Sequence, residues 1–199
     1  MATHNLRTPL SESDARKLRI GDTLFISGLM FTARDQAHRR ALEIAGKGGS
    51  LPFSLKGMVV FHCGPIVQKK NGDWQIVAAG PTTSARMDYI EGEFVERFEV
   101  RIVVGKGGMG TKTADAMKRF GAAYCDFTGG AAVLAAKSVK RVRGVEWLDL
   151  GAPEAVWILE VGDFGPLTVA IDSLGQNLHS QISARVEENR LKIYRMLEA

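Results

Sequence analysis

The chain has 199 residues, 45% hydrophobic and 24% charged, with a formal net charge of +4. That length buries a real core without disulfides or a structural metal, and no apolar run reaches the roughly 18–20 residues needed to cross a bilayer. Two cysteines, Cys63 and Cys125, are too few for an iron–sulfur cluster, and no Cys/His pattern has zinc spacing, so no metal ligand is expected on this chain.

The amino terminus, MATHNLRTPLSESD, has no apolar core of a secretory signal. With two thiols in apolar, strand-like stretches, it suggests a reduced cytoplasmic protein. A single domain over 1–199 is expected, with a carboxyl-terminal helix of about 180–199 as an appendage. The basic surplus is modest. Its densest stretch, KRVRGVEW (140–147), alternates like a half-wet strand, which speaks against a nucleic-acid stripe.

In chain order, Ser11–Leu18 reads as a short helix capped by Ser11 or Ser13. TLFISGLMFTA (23–33) is a strand broken by Gly28, and RDQAHRRALEIAG (34–46) a helix ended by glycines. MVVFHCG (58–64) and WQIVAAG (74–80) are strands joined through Pro65 and a polar turn at Lys69–Asp73. GPTTSARM (80–87) is a loop leading into a helix that ends near Phe98. RIVVG (101–105), TKTADAMKRFG (111–121) and AAYCDF (122–127) read as strand, helix, strand. A small-residue helix (129–139) follows, then strands at VRGVEWLDL, AVWILEVGDF and LTVAIDS, and an amphipathic helix from about Ser180. The pattern is α/β, with strand pairs beside the βα units.

IVVGKGGMGTKT (102–113) poses the sharpest question. Gly105, Gly107 and Gly110 spell G-x-G-x-x-G, with Asp126 about 20 residues on, as in a dinucleotide site. A phosphate loop fails on spacing, because Thr111 separates Gly110 from Lys112. The dinucleotide reading, an NAD(P)-binding oxidoreductase through Gly105–Gly110, meets the local pattern but lacks a second mononucleotide half. A third reading rests on Lys106, at a strand's carboxyl end beside helix-start amides, where a carboxylate fits as well as a phosphate.

Two other stretches carry similar chemistry. TARDQAHRR (32–40) places Arg34 and His38 on one helix face, with Arg34 at the helix start, where a cation opposes the macrodipole. GPTTSARM combines three hydroxyls with Arg86, a set able to clamp a carboxylate. Three strand-end cations, Arg34, Arg86 and Lys106, suit a small dicarboxylate. His62 reads as a core histidine, and Asp88, Asp126, Asp149 and Asp163 receive no role.

TARDQAHRR, LPFSLKGMVVFHCGPIV, GPTTSARMD, VVGKGGMG, TGGAAVLAAKSV and GPLTVAIDSLGQNL together resemble the iron–sulfur hydro-lyase family of class I fumarases and L(+)-tartrate dehydratases. The match is to the fumarase carboxyl-terminal domain and runs from about residue 6 to 178. The resemblance implies a swivelling β/β/α domain. It implies a [4Fe–4S] cluster carried by a partner α subunit and not ligated by this chain, and an α2β2 assembly. Arg34, Arg86 and Lys106 would grip substrate carboxylates, Thr82 would sit near the carbon that loses its proton, and His38 would be a further active-site residue. The implied reaction is dehydration of a small hydroxy-dicarboxylate: L(+)-tartrate to oxaloacetate, or, as the alternative, malate to fumarate. FHCGPIVQKKNGDW, VVGKGGMG and the short free-standing chain lean toward tartrate.

Overall fold

A computed structural model describes residues 1–197. Among these, seven strands form one sheet: β1 (Thr3–Arg7), β2 (Thr23–Thr32), β3 (Val59–Phe61), β6 (Ile102–Gly105), β7 (Ala123–Phe127), β9 (Val156–Ile171) and β8 (Val139–Glu146), in that spatial order. β4 (Ile66–Lys70) and β5 (Asp73–Ala78) make a separate hairpin. β1, β2, β3, β6 and β7 are parallel neighbours, and β9 runs antiparallel to β7 and β8. β9 also pairs with β2, from Thr23↔Thr168 to Phe31↔Ile158, so the sheet closes on itself through β2, β3, β6, β7 and β9.

Strand alternation builds two cores. Val59, Phe61, Ile102, Val104, Ala123, Cys125 and Phe127 face an inner cluster with Trp157, Phe164 and Leu167. Their alternates Val60, Val103 and Tyr124 face an outer cluster, as period 2 requires. That outer layer holds α2 (Asp35–Gly46), α3 (Asp88–Phe98) and α4 (Thr111–Phe120), through Ala37, Ala41, Phe94, Val95 and Met117. Each of the three helices follows a strand or turn at the same sheet edge.

The elements expected from the sequence mostly stand where they were placed, with five differences. Gly28 does not break its strand; it is a bulge at φ 104°, where a side chain would strike Thr8 Oγ1. β9 is one strand of 16 residues, not two, because Asp163 absorbs an irregularity by donating its N–H to Ser27 Oγ at 3.0 Å. β1 and β4 were not expected. The strand read through VRGVEWLDL ends at Glu146, where Trp147 turns left-handed at φ 57°. Ser11 caps α1 (Glu12–Lys17) through a capping box with Asp14, as the sequence suggested. The small-residue helix is α5 (Ala132–Ser138), and the carboxyl-terminal helix, α6, runs Leu178–Leu197; its expected last residues, 198 and 199, lie outside the described residues. No helix among the described residues is long and apolar enough to cross a membrane.

Candidate active site

The carboxyl ends of β2, β3 and β6 lie side by side, in register Thr32↔Phe61 and Phe61↔Val104. Each strand runs directly into one of the singled-out segments. β2 delivers Arg34, which occupies the N-cap position of α2 without a side-chain cap of its own. β3 leads to His62 and Gly64, and the Gly64 site must stay bare because a Cβ there would lie 2.7 Å from the Pro153 carbonyl oxygen, as well as 2.8 Å from Arg34 Nη1. β6 delivers Lys106, which forms a parallel bridge with Thr83. The GPTTSARM loop crosses this edge. Thr82 N–H donates to the His62 carbonyl at 2.6 Å and Ser84 N–H to the Lys106 carbonyl at 3.0 Å. A 3-10 turn, Ser84–Met87, then presents Arg86.

The geometry therefore brings Arg34, Thr82, Arg86 and Lys106 to one edge. Arg86 Nη2 lies 3.1 Å from Asp35 Oδ2, tying it to the residue beside Arg34. Arg34 Nε lies 3.3 Å from Glu154 Oε1. Thr82 and Lys106 are part-exposed and Thr83 and Arg86 exposed, so the edge is open to solvent. His38 is not on that surface. It is fully buried, with its ring against Phe94 and Nδ1 2.9 Å from the Arg34 carbonyl.

One of the helix-start amides offered to a ligand by the sequence is already engaged. Asp88 Oδ1 accepts from Gly110 N–H and from Thr113 Oγ1, each at 2.7 Å. The anion at the start of α4 is thus the chain's own carboxylate, and Lys106 alone keeps the role proposed for the loop. The first glycine has a packing reason: a Cβ at Gly105 would overlap Ser84 Oγ. Gly107 and Gly108 take left-handed φ values of 77° and 72°, which glycine adopts without strain.

Behind the edge runs a buried polar chain that sequence reading missed, apart from placing His62 in the core. His62 and His38 both point Nε2 at Glu91 Oε2, at 3.1 and 3.5 Å, and all three residues are fully buried. His62 Nδ1 lies 2.9 Å from Ser84 Oγ. The Tyr124 hydroxyl stands 3.1 Å from both Ser84 Oγ and Asp126 Oδ1, and Asp126 in turn pairs with His179. Burial raises the Glu91 carboxyl, but the two imidazoles outweigh it and hold Glu91 well below the usual carboxylate range. Burial likewise lowers both histidines; Glu91 lifts His38 above its ordinary value, while His62 stays below. Glu91 could not be read from its type, since one of three glutamates in DYIEGEFVERF looks solvated like the others.

His38, His62 and Glu91 are the group among the described residues with metal-ligand spacing. The thiols do not fit a cluster. Cys63 and Cys125 are both free and buried, and burial raises each, Cys63 to about 12, so neither is a thiolate at neutral pH.

The chain is a mixed α/β domain that collects two arginines, a lysine and a threonine at the carboxyl ends of neighbouring strands, where α/β proteins in general bind their ligands. Comparison with known proteins makes this specific: the family model described as fumarase C-terminus matches residues 2–182, and the chain belongs to that family. It is similar to L(+)-tartrate dehydratase subunit beta of Escherichia coli K12 and of Shigella flexneri. Each is 42% identical over 185 residues, covering 93% of this chain and 90% of the relative. It is also 41% identical over 178 residues to a Geobacillus stearothermophilus chain provisionally named a class I fumarate hydratase. That match takes 89% of this chain but 34% of the relative.

Proposed function

We propose that this chain is the β subunit of an iron–sulfur hydro-lyase that converts L(+)-tartrate to oxaloacetate and water, working in the cytoplasm as an α2β2 assembly with a cluster-bearing α subunit. The observation that carries the reading is the meeting of Arg34, Arg86 and Lys106, from three distant segments, at one open edge beside Thr82. Three cations match a doubly negative diacid with one to spare, and an arginine fork suits a carboxylate better than a lysine point charge does. The swivelling β/β/α domain of the family is the finer fold we assign to this α/β architecture.

Within it, Arg34 and Arg86 hold one carboxylate and Lys106 the other. Thr82 faces the carbon that gives up its proton; its hydroxyl is a weak base and needs an activating carboxylate, which the partner supplies. His38 works from below. Its ring fixes the Arg34 carbonyl and never meets substrate. The cluster belongs to the partner, because the two thiols here are buried, protonated and free. The tartrate reading is favoured over malate dehydration because the match takes 90% of the tartrate relatives' length but 34% of the fumarate-hydratase relative's.

The test is reconstitution with the α subunit and a screen of L-tartrate, malate and mesaconate. L-tartrate turnover by the pair, none by the chain alone, and loss in Thr82→Ala are expected. Activity of the isolated chain, or a pair inactive on every diacid, would refute the proposal.

A further inference from the structure

The polar atoms hardest to account for in this fold are not at the open edge but just beneath it. His38 Nε2, His62 Nε2 and both Glu91 carboxylate oxygens are fully buried; the two Nε2 atoms face Glu91 Oε2 at 3.5 and 3.1 Å without hydrogen-bond alignment, and none of the four atoms has another partner. Leaving such groups poorly paired in an apolar core is costly. Their surroundings offer no relief, since Phe94 covers the His38 ring. Three ligand atoms, one from each residue, that converge this closely call for a shared partner.

Three features identify that partner. The first is spacing: the two Nε2 atoms lie 3.5 and 3.1 Å from Glu91 Oε2, and the three ligand atoms lie within 4.8 Å of one another. Ligands about 2.0–2.1 Å from a tetrahedral ion stand roughly 3.3 Å apart. The second is tautomer control. His38 Nδ1 faces the Arg34 carbonyl at 2.9 Å and so carries a proton, leaving the Nε2 lone pair of the neutral ring aimed inward. His62 Nδ1 is held by Ser84 Oγ at 2.9 Å, which Tyr124 supports from behind. An imidazole oriented through its outer nitrogen is how protein metal sites fix their ligands. The third is charge, because a buried carboxylate between two imidazoles is an anionic cage that a divalent ion neutralises.

We propose that His38 Nε2, His62 Nε2 and the Glu91 carboxylate bind one divalent transition-metal ion, zinc by the nature of the donor set. Each residue offers one ligand atom, and with all three ligands buried it is a structural site rather than a second centre of chemistry. Its position gives it a purpose. His38 sits four residues from Arg34, and the His62 carbonyl accepts the Thr82 N–H, so one ion would pin α2, the end of β3 and α3 together directly behind the diacid-binding edge. The sequence conceals this, because the ligands lie 24 and 29 residues apart with no Cys and no repeated spacing.

The competing arrangement is a proton in place of the ion, with His38 as an imidazolium paired to Glu91. The experiment uses the full chain, untagged, expressed with zinc and dialysed against EDTA. Mass-spectrometric metal analysis should give about one zinc per chain. Unfolding in guanidinium with EDTA should release it, and refolding should raise the melting temperature by several degrees with zinc added compared with EDTA alone. Cobalt loading should produce visible bands of the bound ion. Glu91→Gln and His62→Gln should fall below about one tenth of the wild-type metal content. If those variants do not fold, the zinc-dependent refolding of the wild-type chain still decides the matter. A chain that folds free of metal, with the same melting temperature in zinc and in EDTA and a doubly protonated His38 by nitrogen NMR, would overturn the proposal.

Discussion

Gly105 separates the packing account of the glycine loop from a nucleotide-binding one. Its φ is not in the left-handed range, so alanine costs nothing there in backbone strain. What alanine meets is Ser84. The added Cβ overlaps Ser84 Oγ and comes within 3.2 Å of Ser84 Cβ and 3.3 Å of His62 Nδ1. The hydroxyl must swing away, which breaks its 2.9 Å contact with His62 inside a fully buried site. Overpacking of this kind costs about 1–3 kcal/mol and the lost buried hydrogen bond about 0.5–1.5. A stiffer unfolded chain returns about 0.5. Gly105→Ala should therefore destabilise by about 1–4 kcal/mol, or roughly 0.5–2 M in urea midpoint for a slope near 2 kcal/mol/M. Combining it with Ser84→Ala removes the overlapping oxygen, so the double variant should be less destabilised than the sum of the singles by roughly 1–2 kcal/mol. Urea unfolding of the four proteins of this cycle is the assay. A Gly105→Ala chain within about 0.5 kcal/mol of wild type, or strictly additive effects, would refute the reasoning.

Other expectations are as direct. Titration with NAD(H) and NADP(H), followed by fluorescence or calorimetry, should show no binding, because the Asp88 carboxylate, an anion, already sits at the start of α4 on the Gly110 amide and the Thr113 hydroxyl. Asp22 is buried, and hydrogen bonds from the Ala2 and Arg19 amides and from His4 outweigh that burial, so its folded-state carboxyl lies below the usual value. The stability it contributes is complete above its unfolded pKa of about 3.9 and is lost as pH falls through the folded value, and Asp22→Asn should flatten the stability profile below about pH 4. Iodoacetamide should leave Cys63 and Cys125 unmodified in the folded chain and label both in denaturant, as mass spectrometry will show. Asp35→Asn should lower the KM for the diacid several-fold, because it frees Arg86, while the loss of an exposed pair and a helix-start charge costs about 1 kcal/mol or less.

Much of the fold was legible because it is written locally. Ser11 with Asp14 announces α1, the glycines at 46–49 end α2, and the alternation in IVVG and AAYCDF sets the inward and outward faces of β6 and β7. The elements missed divide into two kinds. β4 carried a signal that went unused: Asn71–Gly72, both at positive φ, is a standard hairpin dipeptide between two strands. β1 and the unbroken β9 carried none, since a five-residue edge strand depends on pairing with β2 and a bulge that tolerates Asp163 depends on Ser27, 136 residues away. The site divides similarly. Arg34, Arg86 and Lys106 stand out because cations at strand ends are anomalous. Ser84, Glu91 and Asp88 do not, because a hydroxyl, a helical glutamate and a capping aspartate look ordinary until the fold shows what they face.

The same distinction explains how the edge manages its charge. Arg34, part-exposed, and Arg86, exposed, are each paired with a carboxylate of this chain, Glu154 and Asp35. Such part-exposed pairs are worth little, about 0–1 kcal/mol. They therefore keep the arginines oriented without competing strongly against an incoming diacid, whose two charges reach all three cations at once. Lys106 has no ion-pair partner among the described residues, and the Thr83 bridge and the Ser84 amide fix its backbone. An edge assembled this way is preorganised in its backbone and exchangeable in its charges. Under the proposed function, that combination would let a diacid displace weak internal pairs at low cost while the buried His38–Glu91–His62 cluster holds the frame beneath it still.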